Sequence, residues 1–288
     1  MPFDFKEIKR IKNIDKQSFL KDYYKTQTPV VIEELTHDWP VYQKWNLNYI
    51  KKVAGDKMVP LYNNDPVKAE DKFNEPKLEM SLSNYINLLQ SEPTDLRIFL
   101  FNLIKEVPAL RDDYQIPDLG LRIMKNLPML FFGGEGSSVF MHYDIDLANI
   151  FHFHFDGEKE CMLVPPDQTS NMYKIPHSVI CREDINFSNP DFEKFPALKN
   201  IQPYRTHLRH GEMLYMPEGY WHYMKYITPG FSMSLRSIAK RPKHLAEAIY
   251  NVLFMRHYDG IMRSLKGQKW IDFKNKQAIR RTHQSLLD

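Results

Sequence analysis

The sequence predicts a mainly β protein: a barrel or sandwich of short strands with α/β elements before it and helices after it. Three observations carry this. Strand-length apolar runs crowd together between residues 129 and 238, turn residues such as Asp156-Gly157 and Thr228-Pro229-Gly230 separate them, and apolar residues change to helical spacing beyond Arg241-Pro242.

Taken in order, Asp15 is placed to cap a helix carrying Phe19, Leu20, Tyr23 and Tyr24, and Pro29 opens the β-branched run Val30-Val31-Ile32. Asn46 caps a second helix with Leu47, Ile50 and Val53 that stops at Gly55. A strand is expected over Met58 to Tyr62. The polar, proline-punctuated stretch from Asn63 to Glu79 reads as a surface loop ahead of a helix from Ser81 or Ser83. Arg97 to Phe101 and Met129 to Phe132 read as strands. Ala148 to Phe155 and Glu158 to Val164 flank Asp156-Gly157, a pattern that predicts a β-hairpin. Asp167 to Thr206, broken by four prolines from Pro176 to Pro203, reads as an inserted irregular segment. Strands resume at Met213 to Met216, Trp221 to Ile227 and Phe231 to Ile238. Leu245, Ile249, Val252, Leu253 and Met255 then follow helical spacing. The expected division is a region 1–240, with its barrel core at about 97–240, and a helical region 241–288.

At 288 residues with 43% hydrophobic and 26% charged content, the chain has the profile of a folded protein able to bury a sizeable core. Its net charge of +3 falls short of what would by itself indicate a nucleic-acid footprint. Two cysteines, Cys161 and Cys181, exclude a disulfide framework or a cysteine-rich zinc cluster and point to a reducing cytoplasm. Met1 to Lys12 lacks an apolar signal core and no later run is long enough to span a bilayer, so no membrane association is expected.

The chemistry concentrates in Met141-His142-Tyr143-Asp144. In an extended chain residues i and i+2 share a face, so one metal can touch both His142 and Asp144. His222 lies on a later strand that an antiparallel barrel can bring alongside. Two imidazoles and one carboxylate on one face of an ion form the ligand set of non-haem Fe(II) oxygenases. Rivals exist: His152 and His154 also stand at i, i+2, and read as hydrogen-bonded or outward-facing residues, while Asp146 could reach His142 only from a bent strand. On Phe231 to Ile238, Ser232, Ser234 and Arg236 share one face; if that face is interior, Ser234 and Arg236 are available to a carboxylate ligand.

The run Gly134 to Asp144, then Asn149, Lys159, Pro165-Pro166, Gly211 to Pro217 and Trp221-His222, resembles the cupin-like JmjC hydroxylases, and within them the asparaginyl hydroxylases. Pro29 to Ile32 and Lys44-Trp45 through Tyr49 extend the similarity upstream, so that it covers roughly residues 15 to 240. The resemblance implies a double-stranded β-helix (jelly-roll, cupin) core, Fe(II), 2-oxoglutarate as cosubstrate and a protein or RNA substrate. It also implies that His142, Asp144 and His222 hold the metal, that Lys159 pairs with the far carboxylate of 2-oxoglutarate, and that Asn149 orients a ligand near the metal. One departure stands out: where asparaginyl hydroxylases place hydroxyls around that carboxylate, this chain has Phe99 and Val139. The family often pairs through C-terminal helices, so a homodimer through residues 241–288 is expected. Two other functions compete with the oxygenase. One is a catalytically silent metal-binding module; the other is nucleic-acid binding through the basic run from Lys266 to Arg281, which includes Lys269, Lys274, Lys276 and Arg280.

Overall fold

The computed structural model describes residues 3–65 and 75–286. Strands β1 (Lys6–Glu7) and β2 (Arg10–Ile11) precede a helix, Lys16–Phe19, that continues as a π-helical turn, Leu20–Tyr24. Asp15 caps it by accepting from the backbone N–H groups of Gln17 and Ser18. β3 (Val30–Ile32) is buried throughout. Asn46 and Ser81 cap the helices Leu47–Ala54 and Leu82–Ser91. Between them, β4 (Met58–Leu61) pairs with β5 (Leu78–Ser81), so the end of the predicted Asn63–Glu79 loop is strand; residues 66–74 of that loop lie outside the described residues.

The rest of the sheet structure is β6 (Arg97–Phe101), β7 (Met129–Gly133), β8 (Ser138–His142), β9 (Asn149–Phe155), β10 (Lys159–Val164), β11 (Tyr204–Leu208), β12 (Met213–Met216), β13 (Trp221–Tyr226) and β14 (Gly230–Ser237). One sheet has the order β2-β3-β12-β9-β14-β7-β6, the other β1-β11-β10-β13-β8. From β7 to β14 the chain alternates between these sheets, except that β10 and β11 stay together. This is the winding of a jelly roll.

The Asp156-Gly157 turn does not close the predicted hairpin. β9 pairs with β12 and β14, and β10 with β11 and β13, so the turn carries the chain from one sheet to the other. Alternation along a strand reports its two faces, not its neighbours, and β9 is buried at all 7 positions because both faces are covered.

Three apolar layers follow from this winding. Phe151, Phe153, Phe231, Met233 and Leu235 leave the barrel outward and pack with Phe19, Trp45 and Tyr85 of the N-terminal elements. Ile150, Leu163, Leu214, Met216 and Met224 fill the space between the sheets. Met162, Val164 and Trp221 point the other way, onto Tyr173, Phe195 and Leu198 of the 167–206 segment and onto Ala248 and Ile279 of the C-terminal helices. The predicted insertion is thus an ordered cover that ends in β11. The C-terminal region is helical over Pro242–Tyr250, Asn251–Met255, Arg256–Lys266 and Gln268–Gln284. Of its basic run, Lys274 is buried against Asp259 at 2.6 Å rather than displayed. No helix among the described residues is long and apolar enough to cross a membrane.

The barrel's turn end is closely packed. Gly157 has φ +74°, and a Cβ there would lie 2.3 Å from the Pro229 carbonyl oxygen, whereas at Gly136, φ +81°, it would meet nothing within 4 Å. Gly157→Ala is therefore expected to destabilise by about 3 kcal/mol and Gly136→Ala by only about 1, the left-handed backbone cost alone. Urea unfolding of both variants checks this; equal losses would contradict it.

Candidate metal centre

β13 runs antiparallel to β8 with His222 opposite His142, and Asp144 follows just beyond the end of β8. The Nδ1 of His142 donates to the Phe140 carbonyl at 2.9 Å, and that of His222 to the Tyr220 carbonyl at 3.1 Å. With those protons placed, both Nε2 lone pairs turn toward Asp144 Oδ1, at 3.7 and 3.8 Å. Two ligands each roughly 2 Å from a shared ion can be up to about 4 Å apart, so these separations suit a single cation. Among the described residues, His142, Asp144 and His222 are the group whose His and carboxylate atoms could hold one, all within 4.8 Å of one another.

Electrostatics favours the ligating forms. Burial lowers the pKa of both imidazoles, and His222 lowers that of His142 further, which keeps them neutral. Burial opposes the charge on Asp144, but Arg236 and the two imidazoles outweigh it and lower its pKa. Arg236 Nη2 holds Asp144 Oδ2 at 2.8 Å, which leaves Oδ1 for an ion. The donor set therefore fits a divalent metal bound on one face.

The candidate triad lines a cavity shared with Arg97, Phe99, Phe131, Val139, Lys159, Ser234 and Arg236. Lys159 enters β10 opposite Tyr226, four residues along from the Leu163–His222 pair, so it lies well down the barrel from the triad. Its Nζ donates to Ser232 Oγ at 2.7 Å, approaches His152 Nε2 at 3.3 Å and sits 4.1 Å from the centre of the Tyr226 ring. Burial pushes its pKa down to about 7.

The polar face of β14 is the barrel interior, as the sequence alternation allowed, but Arg236 meets protein carboxylates there. Its second contact is Asp146 Oδ2 at 3.4 Å, so Asp146 joins the guanidinium rather than the ligand set. His152 and His154 are not outward-facing; they are buried and bonded to Ser234 at 2.7 Å and Ser232 at 2.9 Å. Asn149 is absent from the cavity wall, because its amide donates to Glu218 at 3.1 Å and accepts from the Tyr215 hydroxyl at 2.7 Å. It lies on the face of β9 opposite that of His152.

The chain matches the cupin-like domain family over residues 16–260. It belongs to that family. Among the relatives of this cupin-like protein are Lysine-specific demethylase JMJ30 of Arabidopsis thaliana, 30% identical over 244 residues, and JmjC domain-containing protein D of Dictyostelium discoideum, 29% identical over 252. These alignments cover 80% and 79% of the chain but 54% and 56% of the relatives, so the chain spans about half the length of those proteins. tRNA wybutosine-synthesizing protein 5 of Gallus gallus is 24% identical over 264 residues, covering 85% of the chain and 80% of that protein. These likenesses support the JmjC cupin family as a whole, not its asparaginyl-hydroxylase members.

Sequence reasoning missed Glu218, which lies between Pro217 and Gly219. Its buried carboxylate accepts from Asn149, from the backbone N–H groups of Lys240 at 2.9 Å and Arg241 at 3.3 Å, and from His244 at 3.1 Å. It thereby ties the turn before His222 to the start of the Pro242–Tyr250 helix. The sequence signal is a carboxylate between Pro217 and Gly219 in an otherwise apolar stretch.

Lys159 gives this cupin-like protein a stability profile of stated sign. Its folded-state pKa of about 7 lies below the ordinary 10.5, so between these values the unfolded chain binds more protons and stability rises with pH. The penalty is complete below about pH 7 and is relieved as pH rises toward 10.5. Lys159→Met, measured without added metal or anion, is expected to stabilise by roughly 2 kcal/mol at pH 7 and to flatten the profile over that window. A less stable Met variant in denaturant titrations would contradict this.

Proposed function

We propose that this chain is an Fe(II)- and 2-oxoglutarate-dependent oxygenase, a hydroxylase acting on a protein or RNA substrate. The observation that carries it is the convergence of His142, Asp144 and His222 on one cavity that also contains the buried ammonium of Lys159. When bound, iron and cosubstrate supply the oxidation, with O₂ consumed and 2-oxoglutarate converted to succinate and carbon dioxide. The chain's own part is geometric and electrostatic. The two Nε2 atoms and Asp144 Oδ1 hold the ion, Arg236 fixes the other carboxylate oxygen, and the two backbone carbonyls set the imidazole tautomers. Lys159 takes the far carboxylate by a charge-assisted hydrogen bond, while Phe99, Phe131 and Val139 keep water from the wall between. The names of the relatives, a lysine-specific demethylase and a tRNA wybutosine-synthesizing protein, support protein or RNA as the substrate class.

One observation favours a second reading. Phe99 and Val139 line the cavity where asparaginyl hydroxylases would offer hydroxyls, which suits a metal-binding module without turnover. Protein loaded anaerobically with Fe(II) and 2-oxoglutarate and then exposed to air decides between them. The oxygenase is expected to release succinate even without its substrate, and Asp144→Ala to lower that release at least about a hundredfold. Metal-loaded wild type that releases none is the silent module.

We also place a homodimer contact on the C-terminal helices. Tyr250, Phe254, Ile261 and Leu265 recur at helical spacing and are 49, 61, 59 and 74% exposed, a longer apolar stripe than an isolated surface helix carries. The Ile261→Glu, Leu265→Glu double variant is expected to be a monomer by light scattering where the wild type is a dimer. A monomeric wild type would refute the contact.

A further inference from the structure

The cavity holds a cation without an anionic partner. Asp144 is the one carboxylate among its described lining residues, and Arg236 already pairs with it, while the Arg97 guanidinium at the wall donates to the Asn63 carbonyl at 2.6 Å and to Asn64 at 2.9 Å. Lys159 is 2% exposed, and the partners of its Nζ are a hydroxyl, an imidazole and a ring face. An ammonium has three N–H donors. Two go to Ser232 Oγ and His152 Nε2; the third is left with the Tyr226 ring, a partner that an incoming anion can replace.

The neighbours of His152 set its tautomer. Its Nε2 can accept from the ammonium only when Nδ1 carries the proton, and Nδ1 then donates to Ser234 Oγ at 2.7 Å. Burial holds the ring neutral, so it does not repel Lys159. Ser232 is steadied in turn by His154 Nδ1 at 2.9 Å. Ser234–His152 and Ser232–His154 are cross-strand pairs of β14 and β9, so the four side chains form two successive polar rungs on the inner wall of the barrel.

We propose that His152, with Ser232, is a positioning residue for Lys159, and that selectivity for a 2-oxoacid bearing a second carboxylate depends on His152 although His152 does not touch that acid. The proposal rests on the oxygenase reading. It also answers the departure at Phe99 and Val139. With apolar side chains there, no hydroxyl shares the far carboxylate, and Arg97, which also lines the cavity, has its Nη1 committed to Asn63 and Asn64, so the aim of the ammonium matters more than in a site where hydroxyls share the anion. A carboxylate at position 152 would fix Lys159 more firmly but neutralise it. A neutral imidazole orients the ammonium and leaves its charge free.

The test uses the full chain loaded with Mn(II) under anaerobic conditions and compares calorimetric affinities for 2-oxoglutarate and 2-oxopentanoate, which lacks the far carboxylate. Wild type is expected to prefer 2-oxoglutarate strongly. His152→Leu is expected to lose about tenfold for 2-oxoglutarate with 2-oxopentanoate unchanged, and His152→Gln, whose Oε1 can accept from Nζ, to recover most of that loss. Ser232→Ala, a smaller change, makes the same comparison should leucine at 152 prevent folding. If both acids weaken together, or the preference is unaltered while wild type discriminates, the positioning role is overturned and the oxygenase reading stands. A metal-loaded wild type that does not distinguish the two acids overturns both.

Discussion

The pairing of β8 with β13 is the contact on which the site depends. It sets His222 directly across from His142, and the ladder loses its regular register immediately afterwards, between His222 and Met224. A bulge next to a ligand is a common way to aim a side chain. A slip of one residue would send His222 out of the barrel and draw Trp221 in. Trp221 resists this, being buried in the outer cluster with Tyr143 edge-on to it at 4.8 Å and its indole N–H on Thr169 at 2.9 Å. The geometry of the candidate metal triad is thus held from outside, by the 167–206 cover and its packing against the sheet.

That dependence explains why so much of the chain lies outside the barrel. Both faces of each sheet must be covered, since β9, β10 and β14 are buried almost end to end. The N-terminal helices supply one cover through Phe19 and Trp45; the inserted segment and C-terminal helices supply the other. Glu218 joins the second cover to the metal strand. It is fully buried, and burial opposes its charge, but His244, Asn149 and the two helix-start N–H groups outweigh this and lower its pKa. The carboxylate stays charged at the positive end of a helix dipole, while its own turn leads two residues later to the carbonyl that fixes the His222 tautomer.

Local features of this architecture were legible in the sequence; pairings were not. Asp15, Asn46 and Ser81 announce helices because capping is chemistry within three residues. Six of the strands of residues 129–238 announce themselves by length and turns, whereas β8 and β11 do not, and the Ser232, Ser234, Arg236 alternation correctly separates the inner from the outer face of β14. The supposed hairpin at Asp156-Gly157 failed because a tight turn fixes chain reversal, not the partner a strand finds across the barrel. Asn149 was expected beside the metal, yet one position along β9 reverses its face and sends it to Glu218. Arg236 was expected to meet a ligand carboxylate and instead meets Asp144 and Asp146, contacts that no spacing rule connects. The two His–Ser rungs were invisible for a related reason, since they require the register of β9 against β14.

Three cations line the cavity, Arg97, Lys159 and Arg236; the last two are buried on different terms, and the difference gives the cavity a direction. Arg236 lies between two carboxylates, so its charge is neutralised locally and serves to hold Asp144 in place. Lys159 has neutral partners, and desolvation acts on it without relief from a carboxylate. A protein selected for stability alone would replace such a lysine with a hydrocarbon of similar length. Its presence beside the apolar wall of Phe99, Phe131 and Val139 is the kind of local inconsistency expected at functional sites. Within the cavity the ammonium of Lys159 stands at one end and the candidate metal triad at the other. On the proposed oxygenase reading, a molecule with two acidic groups has one carboxylate for each end.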